Sequence, residues 1–246
     1  MFSLFKLPWF LPTFWSVLFR PLSFYRAYYE DVRARPDRFW TLNEERAGDR
    51  YMGPVKFATL AIAFSNLLLP VILTFGVEAG AVSPDFKQFA DWAAAEGYLE
   101  PWSVTGVWLI DDLIREAALL AVFYSLGLLV ALFSAGALPV RFVAGFFFYW
   151  NAWSLFSGVA DAALIGVGQV VPVYDTVVPA AVAIVINAAS VFMLIGFPIL
   201  FWPRIAGISR MRVVIALLGG LAVWIAVLAV IAPFVVEVPD LQPYGR

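Results

Sequence analysis

The chain contains no cysteine and no histidine. Without thiols no disulfide can form, and the redox compartment leaves no trace in the sequence. Zinc sites built on Cys or His, iron–sulfur clusters, pigment or haem ligated by His or Cys, and Cys or His nucleophiles are all excluded. Charge is scarce as well. Only 14% of the 246 residues are Asp, Glu, Lys or Arg, where a soluble domain carries about 25%. The net charge of −2 gives no bulk attraction to nucleic acid. No Walker sequence, Gly-x-Ser-x-Gly elbow or zincin motif occurs, so nothing points to a reaction. The chain is expected to be non-enzymatic, with no metal site and no covalently bound cofactor.

What is there instead is apolar: 63% of the residues are hydrophobic, with ten Trp and 23 Phe. Five runs are long enough to cross roughly 30 Å of hydrocarbon at about 1.5 Å per residue. They cover about Val55–Val77, Ala117–Leu138, a stretch from Phe142 to about residue 168, Val177–Trp202 and Val213–Val236. Period-two alternation is absent and the runs exceed what a barrel strand needs. The expected fold is therefore all-α, a polytopic membrane protein of five transmembrane helices. The expected organisation is cytoplasmic interfacial helices over 1–54, the bundle over 55–238 and a short external tail over 239–246. Prolines 70, 179 and 198 inside the runs are expected to kink helices rather than break them.

Basic residues divide sharply. Nine of the sixteen Lys and Arg lie at or before Lys56, and Arg141, Arg204, Arg210 and Arg212 fall in the loops on the same side. The other side holds Lys87, Arg115 and Arg246. The positive-inside rule places the N-terminus in the cytoplasm and the C-terminus outside, in a membrane of the bacterial inner type.

The first 29 residues carry eleven aromatic rings. Pro8 and Pro12 interrupt the apolar core and no small-residue cleavage pattern follows, unlike a secretion signal. Leu7 to Phe19, between Lys6 and Arg20, is also too short to span. From Pro21 onward, Leu22, Tyr25, Tyr28, Tyr29 and Val32 recur at helical spacing, with Arg26, Glu30 and Arg33 opposite. Such amphipathic helices lie in the headgroup layer. Phe2, Phe5, Trp9, Phe14, Trp15, Arg20, Tyr25, Tyr28 and Arg33 are therefore expected to face lipid or a partner membrane protein. The plain reading is a surface anchor; the sharper one is a docking surface. A second surface helix is expected over 83–97, with Ser83 as N-cap, Gly97 as stop and Phe86, Phe89 and Trp92 near the outer leaflet.

Two quoted stretches carry a resemblance. "FRPLSFYRAYYEDVRARPDRFW", followed by "GDRYMGPVKFATLAIAFSNLLLPV", is similar to the lead-in of the Yip family (Ypt-interacting proteins) and its bacterial relatives, through Pro21, Phe24, Gly48, Arg50, Tyr51, Pro54 and Phe57. The five-span topology of about residues 50–237 resembles that family too. The resemblance implies membrane organisation or trafficking. No residues match a Rab-binding motif, so that activity is not carried over.

Polar groups at bilayer depth are costly and therefore informative. Asn66 precedes Pro70 by one turn and could cap the carbonyls its kink frees, or form part of a ligand site. Asn151 and Asn187 are expected to hydrogen-bond between helices, or to line a pore or headgroup site. Asp161, between Gly158 and Gly166, is either a snorkelling carboxylate or a ligand contact. Arg115, in "IDDLIREAALL", could pair with Asp161 or Asp175. Function is expected to be that of a non-enzymatic integral membrane subunit, scaffold or assembly factor of a larger complex. The alternative is a small transporter or lipid-handling protein with a polar site near Asn151, Asp161 and Asn187; an intramembrane enzyme is the least supported. Lipids and other membrane proteins are the expected partners.

Overall fold

The computed structural model of the chain describes residues 8–34, 51–76, 108–173 and 176–235. Among the described residues all regular structure is helical. The helices are α1 (Phe10–Phe19), α2 (Pro21–Arg33), α3 (Pro54–Gly76), α4 (Trp108–Phe133), α5 (Val140–Gly168), α6 (Val178–Ala206) and α7 (Arg210–Val235). The expected surface helix over 83–97 and the tail over 239–246 lie outside the described residues. Val178–Ala206 and Arg210–Val230 are long and apolar enough to cross a membrane.

Local chemistry sets the boundaries. The second apolar run is shifted from its expected place, because α4 takes in the charged "IDDLIRE" segment and stops at Phe133. There Ala135 and Gly136 turn left-handed (φ 53° and 76°). Ser134 donates to the Ala131 carbonyl (2.6 Å) and accepts from the Leu138 amide (3.2 Å). Gly207 ends α6 at φ 68°, a conformation that suits glycine. Ser209 then caps α7 by accepting the Arg212 amide (3.3 Å). The prolines act differently from one another. Pro179 sits in the first turn of α6, where its missing N–H removes no helical bond. Pro198 follows a π turn, Phe192–Gly196, where the missing N–H coincides with a shift of the hydrogen-bond ladder.

Side-chain pairs fix the directions of the long helices. α3 and α5 run parallel: Phe57 packs on Tyr149 (5.4 Å between ring centroids), Leu68 lies beside Gly158, and Gln169 Nε2 donates to the Phe75 carbonyl (2.9 Å). α6 runs back along α5, with Trp202 on Phe142 (5.4 Å), Phe197 on Phe146 (6.2 Å) and Trp150 Nε1 donating to the Ser190 carbonyl (3.2 Å). α4 meets α5 at Tyr124 and Phe148 (6.5 Å) and where Gly127 faces Ala144. It meets α7 where Gly219 and Gly220 face Phe133 and Val130. The five long helices therefore alternate in direction, and α5 is the central one, touching α3, α4 and α6. Arg141 to Tyr149, nine consecutive residues, are all buried.

The two N-terminal helices are part of this core. On α1, Phe10 reaches Phe57 (5.2 Å) and Phe64 (5.3 Å) of α3, while Phe19 reaches Phe156 of α5 (6.5 Å). Phe57 is level with Tyr149, so Phe64 and Phe156, each seven residues further on, are level as well. The two ends of α1 thus reach one height on two parallel helices, and α1 lies across them. α2 instead follows the first half of α5: Phe24 meets Tyr149 (4.8 Å), and Tyr29 meets Phe142 (5.0 Å).

Candidate functional site

Two places gather polar groups. The first is the end of the bundle where α3, α5 and α7 begin, hereafter the arginine end. Arg26, Arg33, Arg204, Arg210 and Arg212 are exposed there, and Lys56 and Arg141 are buried there, whereas Arg20, also exposed, follows Phe19 about half-way along α5. Its organising feature is the Met52 peptide, immediately before α3. Thr13 of α1 accepts the Met52 N–H (3.0 Å) and donates to the Trp9 carbonyl (2.7 Å). Tyr149 of α5 donates to the Met52 carbonyl (2.7 Å). One peptide unit therefore pins α1, the lead into α3 and α5 together. Tyr28 donates to the Arg141 carbonyl (2.8 Å), and a substituent on Gly145 would run into its phenol. Burial pushes the Tyr25 phenol well above its ordinary range, and Tyr28 beside it adds to the shift. Tyr29, Arg33, Leu132, Gly136, Pro139 and Ala206 line a recess of about 680 Å³ at the same end.

The second place is a cleft of about 450 Å³ between α5 and α6. Its lining includes Trp150, Trp153, Ser154 and Ser157 from α5 and Asn187 and Ser190 from α6. These positions recur every three or four residues, so each helix turns one polar stripe toward the other. Trp150 closes one end by bonding to the Ser190 carbonyl. The Trp153 indole N–H is buried without an acceptor among the described residues. Asp161 is exposed one turn beyond Ser157 and Gly158, on the same face of α5.

The residues singled out from sequence separate into groups. Phe14, Tyr25 and Tyr28 turn inward and are buried in the core, which takes them away from any lipid or partner surface. Their rings are needed to fill the space beside α5, where aromatic pairs meet at about 5 to 6 Å. Trp9, Trp15, Arg20 and Arg33 are exposed. Asn151, expected to bond across helices, donates to the Phe147 and Phe148 carbonyls of its own helix (3.5 and 3.0 Å). It is 4% exposed and does not line the cleft. Of the expected trio Asn151, Asp161 and Asn187, only Asn187 lines the cleft. Asn66 and Arg115 lie on α3 and α4, with their side chains outside those described. Phe2, Phe5, Phe86, Phe89, Trp92 and Asp175 lie outside the described residues.

Ser154, Ser157 and Ser190 were not distinguished by sequence reasoning. Their shared helical face with Trp150 and Asn187's partner stripe is the signal that could have found them. Among the described residues no cluster of three or more metal-ligating side chains occurs. Compared with protein-family models, curated proteins and solved structures, the chain matches none of them.

Proposed function

We propose that the chain is a five-span integral membrane protein that serves as a non-enzymatic subunit, scaffold or assembly factor of a larger bilayer complex. α3 to α7 are the spans, the arginine end is cytoplasmic, and the C-terminus is outside, in a membrane of the bacterial inner type. The alternating directions of the long helices and the grouping of exposed arginines at one end support this arrangement. The resemblance to the Yip family is of the same kind, since it too implies a membrane-organising role.

The observation that carries the subunit reading is the outward face of α1. Its inward face, Phe10, Thr13, Phe14, Val17 and Leu18, is committed to the bundle. The outward face presents Trp9, Leu11, Trp15 and Phe19, all large, apolar and exposed. A helix that is apolar on both sides needs apolar surroundings on both sides. Exposed aromatic anchors next to arginines are what partner interfaces use at their centre. Purification in mild detergent should recover a stoichiometric membrane-protein partner, and Leu11→Ser with Trp15→Ser should release it while the bundle stays inserted. A clean monomer with no partner overturns the reading. Because the chain has no cysteine, single-cysteine variants at Arg33 and at Val170 would report sidedness directly, each labelled by an impermeant reagent from one side only.

A second reading, a small transporter or lipid-handling protein, is favoured by the α5–α6 cleft and by Asp161 beside it. Asp161→Asn should then abolish flux in proteoliposomes while insertion is unchanged. Flux that survives removes this reading.

A further inference from the structure

The α5–α6 cleft leaves polar side chains in an unfavourable place. Ser154 and Asn187 are exposed and Ser157 is half-exposed. Their side chains make no hydrogen bond to another described residue. They sit mid-way along two long helices, α5 from Val140 to Gly168 and α6 from Val178 to Ala206. At that depth the medium around the bundle is hydrocarbon, which offers no hydrogen bonds. An unpaired hydroxyl or amide there is left without the hydrogen bonds that water would give it. The buried indole N–H of Trp153 adds a fourth unmet group.

We infer that the cleft binds the neutral, oxygen-bearing head of a long-chain lipid. The inference rests on the proposal that α5 and α6 span the bilayer. Three features define the ligand class. First, the lining side chains are uncharged, so a phosphate headgroup would lose its hydration with no cation to replace it. Secondly, Trp153 only donates, the serine hydroxyls donate and accept, and Asn187 does both. Carbonyl or hydroxyl oxygens satisfy that set. Thirdly, a cleft of about 450 Å³ is in the size range of small-ligand sites and too small for a helix about 10 Å across. The Trp150 and Trp153 rings supply apolar walls, and the cleft opens to the bilayer, where an alkyl or isoprenoid tail remains. The same chemistry is offered by the ester region of a diacylglycerol and by the ring of an isoprenoid quinone.

The test uses the full chain in phosphatidylcholine nanodiscs, with a photoactivatable diacylglycerol and a photoactivatable isoprenoid quinone as separate probes. One of them should crosslink saturably to peptides of α5 and α6, competed by its own unlabelled form and not by added phosphatidylcholine. Which probe is captured identifies the source. Asn187→Leu with Ser154→Val, both compatible with hydrocarbon, should weaken capture about tenfold or more, the equivalent of one or two lost hydrogen bonds. Capture of neither probe above the phosphatidylcholine background overturns the inference, as does capture unchanged in the double variant. A crosslink from this cleft to another protein chain also overturns it. Alkaline extraction of native membranes separates the two possible failures. Release of the chain would sink the spanning reading itself, whereas a chain that stays inserted but captures neither probe sinks only the ligand.

Discussion

The two halves of α5 have opposite surroundings. From Arg141 to Tyr149 every residue is buried, enclosed by α2, α3, α4 and the end of α6. From Ser157 to Gly168 only Ile165 is buried. α6 mirrors this: Phe197, Pro198 and Trp202 are buried near its end, while of its first fourteen residues only Ile186 is. Beyond α5, Val170 is 86% exposed and Val177 80%. The arginine end is thus a finished core, made from the chain's own aromatic rings. The far end leaves its apolar surface to whatever surrounds it. Stability should therefore be set at the first half and environment sensed at the second.

The largest break in that comparison should come from Gly127→Val. A Cβ there would lie 2.5 Å from Ala144 Cα, and backbone cannot step aside as a flexible side chain can. A loss of about 3 kcal/mol, the upper range for overpacking, is expected in detergent unfolding. A variant as stable as the parent would mean that α4 and α5 do not meet this closely.

Next in size are the bonds on the Met52 peptide. Thr13→Val and Tyr149→Phe should each cost about 1–2 kcal/mol, since each strands a buried backbone group. Their double-mutant cycle should show coupling, because both hold one peptide unit. Strict additivity would argue against a shared staple.

Alkaline pH offers a milder probe. The raised Tyr25 phenol binds its proton more tightly in the folded state than in the unfolded one. The stability this contributes is whole below the unfolded value of about 10 and is lost as pH rises from there through the folded value. Tyr25→Phe should therefore flatten the fall in stability between about pH 9 and pH 11. An unchanged slope would locate the alkaline sensitivity elsewhere.

The smallest effect belongs to the far end. Nothing lies within 4 Å of a Cβ added at Gly166. Gly166→Ala should be neutral or stabilise by up to about 1 kcal/mol through helix propensity. A clear destabilisation would reveal a close neighbour at that face when the protein is in its own membrane.

Much of the fold was legible. Hydrophobic run length located the five long helices, but the run taken to Leu138 passed straight through the Ser134–Gly136 turn that ends α4. The candidate site was legible only in part. Asn187 stands out because an amide in an apolar run is rare, whereas Ser154 and Ser157 look like ordinary small helix residues. Asn151 misled for the same reason. A lone amide reads as a cross-helix group, yet its bonds to Phe147 and Phe148 satisfy it within its own helix.

The aromatic opening is where the division is clearest. By itself the sequence determined that the chain is helical, that its apolar surface is excessive for a soluble protein, and that its basic residues favour one end. Those are properties of residue type and spacing along one helix. Only the tertiary structure decided which rings of α1 and α2 are anchors and which are core. Tyr25 and Tyr28 lie on the apolar stripe that the sequence marks, but a stripe does not say what it touches. Phe146, Phe197 and Phe142 come from more than a hundred residues away to cover them. Packing of that kind depends on the joint shape of several helices, which no local pattern encodes.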